Sequence, residues 1–298
     1  LKNSADFEAK TSYSFNVIAN DGANSTTQAV LVSVTNLNDN VTTGTITLTG
    51  AAEVDETLAF VSTVSDADGF GSVSYQWLAD NAAISGATGG NLTINEALIG
   101  KYISVQAAYT DGTGYCSSHQ SSTKLVLPAD FDADGDGAND SGQTDLTTIP
   151  VTSDNADTPV LVTLKETSTD ASGTPVLTPS TLDPETLPTV MDAPLGKLSI
   201  STGGEGPDSS NSYSLFVDSS QGINGFWAQN SNGLWVNLAT KVETINGQTR
   251  VDFTLTDGSE FDLNEAAQAI ETDGALASMK LSIVGSVPDI KLSGLWFG

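Results

Sequence analysis

Short runs in which apolar and polar residues alternate, each ended by a cluster of Gly, Asn, Asp or Ser, recur along this chain. A period of two buries one face of a strand, and closely spaced turn residues end each run. The pattern therefore specifies antiparallel sheets stacked as sandwiches. Strands are expected at 43–48, 57–64, 73–78, 91–94, 102–109 and 121–127. Further on they are expected at 197–201, 212–217, 225–228, 234–238, 249–256 and 276–284. An opening hairpin is expected where Tyr13, Phe15, Val17 and Ala19 alternate, Asn20-Asp21-Gly22 turns the chain, and Val30, Val32 and Val34 alternate again; one face of it should be buried. Helix signals are scarce. Asn95 can cap a brief turn that stops at Gly100, and the Ala/Glu-rich 264–274 stretch predicts one short helix. Four of the ten prolines lie between 175 and 188, which places loops or edge strands there. The fold class is all-β, in tandem sandwich modules.

A length of 298 residues suits two or three such modules. The chain carries 37 acidic and 10 basic residues, a net charge of -27. Phosphate binding needs clustered Lys and Arg, so nucleic acid is excluded as a partner, and an anionic membrane surface is disfavoured. No apolar run reaches the ~20 residues of a membrane-spanning helix. With one cysteine, Cys116, and one histidine, His119, neither an internal disulfide nor a Cys/His zinc site can form. His119 lies in a Gly/Ser-rich stretch without a nucleophile elbow, and no enzyme is expected. So many carboxylates serve either solubility or divalent cations.

The segment Asp130-Phe-Asp-Ala-Asp-Gly-Asp-Gly-Ala-Asn-Asp140 separates these two uses. Oxygen donors at every second position, with glycines that permit tight turning, are what a calcium loop requires. Counted from Asp132, ligand positions one, three, five and nine are Asp132, Asp134, Asp136 and Asp140. The twelfth position, ordinarily a bidentate Glu, is Gln143.

Three stretches resemble known families. Asp6-Phe-Glu8, Ala19-Asn-Asp-Gly22 and Asn36-Leu-Asn-Asp-Asn40 resemble the end of a cadherin repeat, with Asn36 where that family has Asp. The resemblance implies Ca²⁺ ligation by Glu8, Asp21, Asn38 and Asp39, and a module boundary near 40. Residues 41–128 resemble a bacterial Ig-like adhesin repeat, through Asp66-Ala-Asp-Gly69, Tyr75-Gln-Trp77, Ile84-Ser-Gly-Ala-Thr88, Gly100-Lys-Tyr-Ile103 and Tyr109-Thr-Asp-Gly112. That implies a spacer with Trp77 in its core; Asp66 and Asp68 either ligate Ca²⁺ or form a plain turn. In 129–298, the opening Asp/Gly loop, Gly225-Phe-Trp-Ala228, Gly233-Leu-Trp-Val-Asn-Leu238 and Phe253-Thr-Leu-Thr-Asp-Gly258 resemble the choice-of-anchor U type domain and the peptide-binding domain of RTX adhesins. A second loop with oxygen donors Asp257, Asp262, Asn264 and Asp273 is implied there, although several of the family's glycines are absent. Trp227 and Trp235 are the implied aromatic wall for a ligand, or else core residues of facing strands.

Together the resemblances imply a secreted, bacterial cell-surface adhesin segment, monomeric within a longer chain. Its cofactor is Ca²⁺ and its partner a peptide or protein on another cell surface, or a glycan. Two alternatives stay open: a purely structural, Ca²⁺-rigidified extender, and a carbohydrate-binding module or carbohydrate-active enzyme region.

Overall fold

The computed structural model describes residues 5–7, 9–37, 42–168, 175–203, 209–230, 232–263 and 269–279. All extended sheets among them are antiparallel. The chain divides into two compact units. The first holds residues 1–52, 56–94 and 102–124. The second holds 53–55, 95–101 and 125–298.

In the first unit, one sheet orders Cys116–Gln120, Tyr102–Thr110, Val73–Ala79 and Ala82–Ala83; another orders Ile46–Thr49, Thr57–Ser62 and Asn91–Thr93. Inward positions alternate as the period of two demands: Ile46 and Leu48 are buried, as are Ile103, Val105, Ala107 and Tyr109. Trp77 is fully buried, its ring edge-on to Phe60 at 5.7 Å and its Nε1 donating to Gly89 O at 2.9 Å. Its indole thus fills the core with its one polar atom satisfied.

The opening hairpin pairs Ser12–Asn20 with Ser25–Ser33 across nine registered positions. Here the expectation of a buried face fails. Phe15 is 52% exposed and Val17 49%, because two strands alone supply no second layer among the described residues.

The second unit is a sandwich. Its five-stranded sheet runs Leu146–Val151, Val160–Glu166, Ser210–Asp218, Gln248–Thr256, Ala239–Ile245. Its six-stranded sheet runs Val176–Ser180, Lys197–Gly203, Ala269–Met279, Gly225–Gln229, Trp235–Asn237, with Met191–Asp192 also pairing to Ala269–Met279. Both sheets feed one core: Val162, Leu164, Leu215, Val251 and Phe253 from the first meet Leu198, Ile200, Phe226, Ile270 and Leu276 from the second. The rings of Phe226 and Phe253 lie 4.4 Å apart. A smaller cluster of Met191, Ala193, Trp227, Ala275 and Ala277 covers the other face of the six-stranded sheet.

Val176–Ser180 is an edge strand carrying Pro179, as the proline run predicts. The short helix expected over 264–274 is corrected where it is described: Ala269–Met279 is a strand, paired on both sides, and 264–268 lie outside the described residues. Helical geometry among the described residues is confined to four 3₁₀ turns, one of them Glu96–Leu98 capped by Asn95. None is long and apolar enough to cross a membrane.

Candidate metal centre

Residues 130–143 enter the second unit just ahead of its first sheet strand. Gly135 and Gly137 adopt left-handed φ values of 73° and 86°, which bend the loop back on itself at little steric cost. The bend wraps amides around Asp132. Its Oδ1 accepts from Gly135 N (2.8 Å) and Asp136 N (3.2 Å), and its Oδ2 from Gly137 N (2.9 Å). Asp134 Oδ1 accepts from Asp136 N at 3.2 Å, and Asp136 Oδ1 from Ala138 N at 2.8 Å. Asp132, Asp134 and Asp136 each place a carboxylate oxygen within 4.8 Å of the others. A carboxylate oxygen that accepts an amide keeps a second lone pair for a cation.

Asp140 closes the loop from inside. It is only 5% exposed. Its Oδ2 accepts from Ala133 N at 3.1 Å, while its Oδ1 is buried with no hydrogen-bond partner. Burial first, and then the charges of Asp134, Asp132 and Asp136, push this carboxyl up to about 6, against the opposing bond from Ala133 N. A buried oxygen without a donor, beside three further carboxylates, is a costly arrangement unless a cation completes it. Gln143 Nε2 donates to Asp136 Oδ1 at 3.3 Å; turning its amide over would present Oε1 instead.

Two residues absent from the sequence reading belong to this centre. Lys165 Nζ contacts Asp134 Oδ2 and lies 3.5 Å from an oxygen of Asp145. The hydrogen bond to Asp134, outweighing partial burial, raises the Lys165 ammonium above its ordinary value. Asn139 Nδ2 donates to the buried Glu53 at 2.8 Å, fixing the back of the loop. Neither contact has a local signal, since both partners come from distant parts of the chain.

Of the other predicted ligands, Asp257, Asp262 and Asp273 do not join this cluster. Asp257 is buried with Oδ2 lacking a partner. Asp262 accepts from Gly258 N at 2.9 Å and Glu271 N at 3.1 Å, acting as a turn staple. Asp273 lies within a strand and pairs with Lys197 at 2.8 Å. These three form no metal-type cluster among the described residues. Asn264 lies outside the described residues, as do Glu8, Asn38 and Asp39. Asp21 sits at the hairpin tip, where bonds from Asn24 N and Ala23 N lower its carboxyl. Trp227 is 6% exposed, within the small cluster under Met191 and Ala193. Trp235 is half-buried and donates through Nε1 to Thr186 O at 2.8 Å.

The first unit gathers Asp66, Asp68 and Asp111, each with an oxygen within 4.8 Å of the others. Internal donors already serve much of it. Asp66 accepts from Asp68 N and Tyr109 OH, both at 3.0 Å. Asp111 Oδ1 accepts from Thr113 N, Thr113 Oγ1 and Tyr115 N.

No protein-family model matches the chain, and no curated protein matches it. A solved chain described under the promiscuous specificity of carbohydrate-binding modules from the β-sandwich superfamily is similar over 83% of this chain and 95% of its own length. It has 13% identity and a TM-score of 0.25.

Proposed function

We propose that this chain is a calcium-stiffened segment of a secreted bacterial surface adhesin, with the 130–143 loop of its second unit as the principal Ca²⁺ site. The observation that carries the reading is the convergence of Asp132, Asp134 and Asp136 next to the unpartnered, buried Oδ1 of Asp140. An all-oxygen donor set on a flexible Gly-bearing loop suits a hard cation with variable coordination, which favours Ca²⁺ over zinc or copper. Asp132, Asp134, Asp136, Asp140 and Gln143 would hold the ion. Its charge would offset carboxylates that otherwise repel, and so tie the loop to the strands behind it.

Calcium binding should raise the melting temperature. At a hundredfold excess over Kd the gain is about 2.7 kcal/mol, or about 5–10 °C for a sandwich of this size. Scanning calorimetry in Ca²⁺ and in EDTA reads this directly, and coincident transitions would sink the proposal.

Capture of a peptide or protein by the second unit is the finer part of the same reading. Burial of Trp227 leaves only Trp235 of the two implied wall residues partly open, which favours the structural extender as a second reading. Peptide and glycan arrays probed in Ca²⁺ and in EDTA separate the two: calcium-dependent signal supports a binder, and silence on both arrays supports the extender.

A further inference from the structure

We propose that Lys165 is a built-in competitor of the divalent cation: its ammonium occupies Asp134 in the metal-free loop, and on loading yields that oxygen and turns to Asp145. The inference rests on the reading of 130–143 as a Ca²⁺ site and adds a threshold to it. Asp134 has a side chain only 3% exposed, so water cannot easily satisfy it. Its Oδ1 takes the amide of Asp136, and its Oδ2 takes Lys165. A cation that reaches Asp134 must therefore share or displace an existing positive charge.

Strand pairing fixes where that charge comes from. Lys165 lies near the end of Val160–Glu166, opposite Leu146 and beside Ser214, in a sheet that cannot shift without breaking the sandwich. Only the flexible stem can move. The exposed carboxylate of Asp145, at 3.5 Å, is already within reach of the ammonium. A single Lys thus has two acidic partners, one inside the loop and one outside it, and a short swing exchanges them.

Removal of the ammonium has opposite effects on the two states, which a purely structural ion pair would not produce. Without Lys165, the metal-free loop keeps Asp134 buried and unpaired, so its melting temperature falls. The incoming ion no longer meets a like charge, so calcium binds about tenfold more tightly. The test titrates Ca²⁺ into the full chain and into Lys165→Gln and Lys165→Met, following the amide resonances of Gly135 and Gly137, with metal-free melting measured in parallel. Tighter binding with lower metal-free melting in either folded variant is the expected result. Equal or weaker binding, with the unaltered chain still responding to Ca²⁺, overturns the competitor and leaves the calcium site standing. If Gly135 and Gly137 stay unmoved by millimolar Ca²⁺ in the unaltered chain, the site fails and the competitor fails with it.

Discussion

Asp140 is a buried carboxylate with one oxygen bonded and one bare. Asp140→Asn removes the charge but keeps the shape. In EDTA the variant is expected to melt a few degrees higher than the unaltered chain, because the repulsion with Asp132, Asp134 and Asp136 is gone. In Ca²⁺ it should lose most of the gain, because a ligand is gone. Calorimetry of both forms with and without Ca²⁺ checks the reversal; a variant that gains as much as the parent excludes Asp140 as a ligand. The pH dependence has a definite sign. The folded value of about 6 lies above the ordinary 3.8, so between those values the folded metal-free protein holds a proton that the unfolded chain releases. The contribution of this group is thus fully present at low pH and is lost as pH rises through the folded value.

At the level of the element, Ala269–Met279 shows why local composition misleads. Ala and Glu favour helix in isolation, and 264–274 reads that way. Between Lys197–Gly203 and Gly225–Gln229, however, the same small residues are what the sheet requires. Ala275 and Ala277 leave room for Trp227, and Gly274 lies under the ring of Phe226. A Cβ on Gly274 would come within 2.3 Å of that ring, so Gly274→Ala should cost about 1–3 kcal/mol by overpacking. A lowered urea midpoint measures this, and no change would mean that the ring can move aside. Val160–Glu166 escapes the sequence reading for a different reason. It is a nearly continuous apolar run, buried on both faces at Val162, Thr163 and Leu164, and lacks the alternation that marks Gln248–Thr256. Cys116–Gln120 has no apolar face to detect. The Asp loop was legible because its donors are neighbours in sequence. Lys165 and Glu53 were not, because they come from distant parts of the chain, Lys165 from a sheet strand and Glu53 from an isolated bridge to Leu127.

Over the whole molecule, a net charge of -27 opposes compaction in every state. Raising sodium chloride to about 0.5 M shortens the screening distance to a few ångströms. The chelated protein should then melt at a higher temperature, and Ca²⁺ should add less than it does in dilute buffer. A calorimetric salt series tests both, and a chelated form indifferent to salt would show that long-range repulsion is unimportant. Connectivity imposes a separate condition. The polypeptide changes unit after Ala52, Asp55, Ile94, Lys101 and Lys124. A single scission therefore cannot release both units whole. A fragment starting at 129 would leave behind Glu53, the acceptor that Asn139 holds at 2.8 Å. Diminished ion affinity in such a fragment would record a missing buttress as readily as a missing ligand.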